Sequence, residues 1–357
     1  MRIFHVITLS SLGGAQSVVV NLANEQSKNN EVYVISSSSG EAWTALSNSV
    51  HIIKMKELRR EISWRDIIVF LKLLYYRIKY KPDIVHLHSS KIGAIGRVAF
   101  PSNKTLYTVH GFDSIRVANR KFLQVELLLQ KFCSYIVGVS LYDVKMMAVE
   151  GVCHNVKCIY NGIKDIKYYS QDDEDMCLYA EQVAIIRTRY KKVVMCIARD
   201  DPPKDVSLFL RVANMFKDEG VAFVWVGNKS EYNGSDNTFF IGTVPMGYRL
   251  LTYADVFVLM SHFEGLPMSI IEAMSMRKPI VASDVGGISE LLNGENGFAV
   301  KNDADEFAEK IRFLLDNPKR YDSMSHNARL MYEKYFTVNQ MVSSYNDIYN
   351  EIARNNE

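Results

Sequence analysis

Short, almost wholly apolar runs recur along the chain, each followed by a stretch whose apolar positions repeat with helical spacing. In the first half the runs are "RIFHVITL", "EVYVISS", "VHIIKM", "DIVHLHS", "TLYTVHG" and "YIVGVS". Between them lie helix-period segments such as "AQSVVVNLANEQ" and "RKFLQVELLLQKF". Strands apolar on both faces are covered on both faces, and intervening helices make their sheet parallel. The pattern predicts a doubly wound α/β domain. After "CIYNGI" it lapses: residues 164 to 192 are polar and charged, contain "QDDEDM", and read as a linker followed by a short helix. It then restarts with "KVVMCIA", "AFVWVG", "NTFFIG", "VFVLMS", "PIVASD" and "GFAV", which predicts a second α/β domain. From "DADEFAEKIRFLLDN" onward the chain reads as helix, broken at Pro318.

Composition agrees with two packed domains. A chain of 357 residues exceeds the length at which a single core stops growing. Its 48% hydrophobic and 23% charged residues are those of a globular protein, and a net charge of +2 gives no footing for a nucleic-acid binder. The opening "MRIFHVITLSSLGG" turns polar too soon for a signal peptide. No stretch approaches the ~20 apolar residues that span a bilayer. Five cysteines without a CxxC pair point away from a disulfide framework or a zinc site and towards a reducing cytoplasm.

Facing domains of this kind are expected to bind ligands in a cleft lined by the carboxyl ends of their strands, so the chemistry should lie there. After the first strand, Gly13 and Gly14 suit close backbone approach to a ligand, and equally a plain strand-to-helix turn. His110 follows another strand, beside Gly111. His86 and His88 share a strand face, but with no acidic or cysteine ligand near them in sequence they make a poor metal pair. In the second half, "CIARDDPPKDVSLF" places Arg199 after a strand and Lys204 before a helix. With helix N-terminal amides, these cations would neutralise a diphosphate. Finally, "HFEGLPMSIIEAMSMRKPI" puts Glu264 in a turn and Glu272 eight positions later, in the second turn of a helix that otherwise looks buried. Burying an ionised carboxylate without a partner is costly, so both acids should face a ligand.

These residues carry a resemblance. "EGLPMSIIEAMSMRKPIVASDVGGISELL" resembles the E-x7-E region of retaining glycosyltransferases of family 4, which have the GT-B fold. "GG", "HG", "NGI" at 161 to 163, Arg199 and Lys204 recur in the family's order. The resemblance implies two Rossmann-like domains facing across a cleft: residues 1–165 on the acceptor side and residues 166–336 for the sugar nucleotide. A helix over about 337–357 would pack back on the first. It implies that Glu272 holds the ribose hydroxyls and that Glu264, with Gly265 and Leu266, lies near the donor sugar. Arg199 and Lys204 would grip the diphosphate. His110 would approach the reacting side of the sugar, and Gly14 would line the phosphate or acceptor region. Thr243 and Val244 of "FFIGTVP" would meet the base. "RDDPPKD" replaces the commoner glycine-rich loop, and Ser269 and Ile271 lie where members vary; no charged group is lost.

The implied reaction moves a hexose or N-acetylhexosamine from a nucleotide sugar, expected to be a UDP-sugar, to a growing, lipid-linked glycan of a capsule or O-antigen. Attack on the same face through an oxocarbenium-like state retains the anomeric configuration, and no metal or other cofactor is expected. The "DDED" at 172 to 175 sits in the polar linker, the wrong place for a metal-binding DxD motif. Rival readings are a GT-B nucleotide-sugar epimerase or phosphorylase-like enzyme, and a catalytically inactive sugar-nucleotide-binding protein. Residues 54–81 combine Trp64, Ile67, Ile68, Phe70, Leu71 and Leu74 with nine Lys and Arg residues. That segment reads either as a membrane-surface helix or as a core helix with a solvated charged face. The first reading puts the protein in the cytoplasm on the inner face of the membrane.

Overall fold

The computed structural model describes residues 1–166 and 174–356. The chain forms two compact units, Met1–Lys164 with Val338–Glu357, and Asp165–Thr337. The first is built on strands β1 (Arg2–Ile7), β2 (Glu31–Ser37), β3 (Val50–Met55), β4 (Ile84–His88), β5 (Thr105–Val109), β6 (Tyr135–Gly138) and β7 (Val156–Cys158). They pair in parallel in the order β3-β2-β1-β4-β5-β6-β7. Five residues of β4 and all five of β5 are buried, the signature of a sheet covered on both faces. On one face lie Phe4, Tyr33, Val85 and Tyr107, packed with Leu73 and Val69 of the helix Arg65–Tyr80. The helix Val338–Arg354 belongs to this unit: Tyr345 and Tyr349 are fully buried and reach the side chains of Thr108 and His86.

The second unit contains β8 (Lys192–Ile197), β9 (Val221–Val226), β10 (Thr238–Gly242), β11 (Val256–Leu259), β12 (Ile280–Ser283) and β13 (Phe298–Val300), in the parallel order β10-β9-β8-β11-β12-β13. Trp225, Phe209 and Phe223 interlock edge to face at its centre. Each sheet starts in its middle, grows one way, then reverses. The reversal lies between β1 and β4 in one unit and between β8 and β11 in the other. Neighbouring strand ends diverge there and leave a crevice at their carboxyl ends.

The "short helix" expected within 164 to 192 is a correction: it runs from Glu174 to Arg189, sixteen residues. Its apolar stripe is thin, with Val183 and Ile186 buried, and Arg187 adds an ion pair to Asp255 that sequence spacing does not reveal. The first two residues of "DDED" lie outside the described residues. Pro318 does break the C-terminal helical run, at the first position of the helix Pro318–Tyr335.

Candidate active site

In the second unit, the strands flanking the reversal deliver Lys204 and Glu264. Trp225 Nε1 donates to Ala198 O at 2.9 Å, and Gly227 (φ +114°) lies so close that a Cβ there would sit 2.5 Å from the same oxygen. Arg199 therefore leaves β8 from a fixed point. The chain turns through "DDPP" and returns beside β11: Asp205 N donates to Met260 O and His262 N to Pro203 O. Lys204 thus comes to lie next to Ser261, and its Nζ is ion-paired with the Glu264 carboxylate. Ser261 Oγ donates to the same carboxylate oxygen at 2.7 Å. Gly286 holds the turn from the other side. At φ +58°, a Cβ there would lie 1.7 Å from Glu264 O, and Gly287 N donates to Gly265 O at 3.0 Å. Only glycine permits that approach.

Glu272 is placed differently. It occupies the second turn of the helix Met268–Ser275, whose Ile270, Ile271, Ala273 and Met274 are all buried. Arg329 anchors that helix by donating to Ser275 O at 2.7 Å, while itself paired with Asp165 and Glu333. The Glu272 carboxylate has no hydrogen-bond or ion-pair partner among the described residues, and burial pushes its pKa up to about 7. A half-buried acid that is only partly ionised at neutral pH is an acceptor waiting for donors.

The structure also separates what the sequence joined. Arg199 does not contact Lys204: it is 53% exposed and faces Asp201 at 3.5 Å, a weak surface pair. The helix after Lys204, Val206–Asn214, has part of its amide end taken by its own cap, because Asp205 accepts from Leu208 N at 2.8 Å. The helix Met268–Ser275 has only Pro267 at its N-cap and no side-chain cap, so its amide end is the open one. Val244 is buried and Thr243 exposed just beyond β10, and Leu266 is buried beside Gly265.

In the first unit, Gly14 opens the helix Gly14–Gln26, with Gly13 O accepting from Ser17 N at 3.0 Å. His110 follows β5 directly, in a turn pinned where Phe112 N donates to Asp143 Oδ1 at 2.7 Å. Its pKa is lowered by burial to about 4, so the ring is neutral. Behind it, His5, His86 and His88 gather at the reversal between β1 and β4. Their ligand-capable atoms lie within 4.8 Å of one another, the group of this kind among the described residues. Sequence reading saw His86 and His88 but missed His5. The clue was available, since His5 also points the same way as His86 once β1 and β4 are neighbours. Each of the three rings already has hydrogen-bond partners, which argues for a polar network in place of a metal centre. Ser261 and Gly286 were missed as well; nothing local in the sequence marks their contacts with Glu264.

A family model described as Glyco_transf_4, glycosyltransferase family 4, matches residues 12–165, and one described as glycosyl transferases group 1 matches residues 183–331. The chain belongs to the family 4 glycosyltransferases. One relative of this glycosyltransferase is the UDP-Gal:alpha-D-GlcNAc-diphosphoundecaprenol alpha-1,3-galactosyltransferase of Escherichia coli, 28% identical over 389 residues that cover 99% of this chain and 98% of the relative. Another is the capsular polysaccharide biosynthesis glycosyltransferase CapM of Staphylococcus aureus, 24% identical, covering 100% and 98%. The crystal structure of Anabaena HepE in complex with UDP-glucose superposes with a TM-score of 0.82 at 19% identity, covering 98% of this chain and 100% of the other. That likeness shows the fold, which is GT-B.

Proposed function

We propose that this glycosyltransferase moves a hexose or N-acetylhexosamine from a UDP-sugar to a growing, lipid-linked glycan in capsule or O-antigen assembly, with retention and without a metal. The observation that carries the reading is the Lys204–Glu264 pair together with Glu272, a carboxylate without a partner among the described residues, on the helix that follows the same turn. The UDP-galactose and diphosphoundecaprenol named for the Escherichia coli relative support the donor and acceptor classes. Lys204 has three N–H donors, so it can keep Glu264 and still meet a phosphate oxygen. Arg199, weakly held, is free to join it, and the open amide end of the helix Met268–Ser275 adds partial positive charge. Glu272 accepts from the ribose hydroxyls, Thr243 and Val244 flank the base, and Glu264 with Gly265 and Leu266 faces the sugar. His110 serves the reacting side of the sugar, and Gly14 the phosphate or acceptor.

In the reaction the bond from the anomeric carbon to the diphosphate oxygen breaks and the electron pair leaves with the nucleoside diphosphate. The acceptor hydroxyl bonds to the same face of the carbon, and its proton passes to the departing phosphate oxygen. Lys204 and Arg199 meet the charge that grows on the leaving group, the task a divalent ion performs elsewhere. The test is transfer from labelled UDP-sugars to a polyprenyl-diphosphate-linked sugar in excess EDTA. The reading expects undiminished turnover and a retained anomer. Activity restored only by magnesium or manganese, or an inverted product, would contradict it.

The acceptor reading extends to a cytoplasmic enzyme resting on the inner membrane face. No helix among the described residues is long and apolar enough to cross a membrane. The helix Arg65–Tyr80 buries Val69 and Leu73 but exposes Trp64 (67%), Ile67 (65%), Leu71 (57%), Tyr75 (55%) and Ile78 (73%) as one stripe. Exposed Arg59, Arg60, Arg77, Lys79 and Lys81 accompany it. An apolar stripe bordered by cations suits an anionic lipid surface. Arg59→Glu with Arg60→Glu should weaken binding to anionic vesicles by about 1 kcal/mol per charge removed, and by more for the reversal. Unchanged sedimentation with vesicles would leave the stripe unexplained by lipid.

A further inference from the structure

A line of hydrogen-bonded imidazoles runs from the interior of the first unit to His110. Gln26 Oε1 lies 2.8 Å from His5 Nε2, His5 Nδ1 lies 3.1 Å from His88 Nε2, and His88 Nδ1 lies 3.1 Å from His110 Nε2. His5 and His88 are wholly buried. His110 stacks on His88 with ring centroids 5.4 Å apart, and its remaining nitrogen, Nδ1, has no partner among the described residues.

Burial holds every ring of the line in its neutral form. His5 and His110 are lowered to about 4, and His88 falls well below the usual value, where desolvation is joined by repulsion from the neighbouring rings. A neutral imidazole has one N–H and one bare nitrogen. In such a line each ring must donate at one nitrogen and accept at the other, so the whole line has only two senses. The residue at its inner end selects one of them.

That residue is Gln26. Its Nε2 donates to Asn346 Oδ1 at 3.3 Å, so the amide nitrogen is turned towards that acceptor and the carbonyl towards His5. Tyr349 Oη lies 2.6 Å from His86 Nδ1, and His86 Nε2 lies 2.7 Å from Thr108 Oγ1, a separate polar arm beside the line. With the carbonyl facing His5, His5 donates from Nε2, His88 donates from Nε2 to His5, and His110 donates from Nε2 to His88.

We propose that Gln26, acting through His5 and His88, sets the tautomer of His110 so that its open Nδ1 is an acceptor for a sugar hydroxyl. The proposal rests on the reading of His110 as the residue at the reacting side of the sugar. Gln26, His5 and His88 are positioning residues: none needs to touch substrate. A reversed line would present an N–H at the same point, with the same shape and charge but the opposite hydrogen-bonding role.

The test uses full-length protein with 15N-labelled histidine and long-range 1H–15N correlation, which separates the two tautomers of each of the eight histidines. The wild-type protein without ligand should show His5, His88 and His110 protonated at Nε2 and bare at Nδ1. An Nδ1–H tautomer or an imidazolium at His110 would overturn the proposal, whatever the enzyme's activity. Gln26→Leu removes the selecting group and should leave His110 as a mixture of tautomers. Its kcat should fall roughly tenfold, the scale of one misplaced hydrogen bond, with nucleoside diphosphate affinity kept. Gln26→Glu can accept from His5 but cannot donate, and should restore the single tautomer and most of the rate. A shifted tautomer with unchanged kcat would overturn the link to the reaction. Absence of transfer by the wild-type protein, with the expected tautomers intact, would count against the enzyme reading and not against the line.

Discussion

The two sheets reverse direction at the same point in their strand order, yet the two crevices are furnished in opposite ways. Between β1 and β4 the groups are neutral imidazoles and hydroxyls bonded to one another, and the Nδ1 of His110 is left open among the described residues. Between β8 and β11 and around them the groups are ionisable and incompletely satisfied: a paired Lys204, a loosely held Arg199 and a Glu272 without a partner among the described residues. Topology fixes where a ligand is met, while the side chains decide what is met. A charged crevice suits a diphosphate and its ribose. A neutral, internally bonded one suits a hydroxyl-bearing sugar, where a fixed charge would be solvated at a cost.

That contrast can be broken by substitution. Lys204→Ala should have the largest effect, lowering kcat by about 10²–10³-fold, because the lysine meets charge that develops only as the diphosphate leaves. Excess salt or added metal should not repair it. His110→Ala should lower transfer by less while leaving nucleoside diphosphate affinity within about twofold, since the neutral crevice is assigned no part of the nucleotide. A large loss of nucleotide affinity in that variant would erase the distinction. The smallest effect is a pH dependence. Glu272 has a raised pKa of about 7 in the free protein, whereas ribose hydroxyls donate to the ionised form and so lower the pKa in the complex. UDP-sugar affinity should therefore be complete above pH 7 and weaken as the pH falls below it, by up to about tenfold per unit. Glu272→Gln should flatten that profile. Using the sugar nucleotide avoids the titration of a terminal phosphate.

Much of this was legible in the chain. Buried strands announce themselves by continuous apolar runs, and the E-x7-E spacing puts Glu264 in the turn and Glu272 in the second turn of the helix. The strand Val156–Cys158 was not legible, being three residues long and only partly buried. Nor was the contact between Lys204 and Glu264, sixty positions apart and set by two backbone bonds across a loop. The cap that Asp205 places on its own helix, by accepting from Leu208 N, was not legible either. The sequence pattern left the helix Arg65–Tyr80 open between a core and a membrane-surface reading, and what it did not reveal is that Trp64, Ile67 and Leu71 are exposed while Val69 and Leu73 are buried.

The most direct test of the charged crevice is calorimetric titration of UDP into wild type, Glu272→Ala and Glu264→Ala. A hydrogen bond to a charged group contributes ~1.5–3 kcal/mol, so Glu272→Ala should lose roughly 10–100-fold in affinity. Glu264→Ala should hold UDP nearly as tightly as wild type, because the proposed reading assigns Glu264 to the sugar and its removal frees Lys204, while transfer fails. If Glu264→Ala loses UDP as badly as Glu272→Ala, or if Glu272→Ala binds UDP unimpaired, the assignment of the two acids to sugar and ribose is wrong.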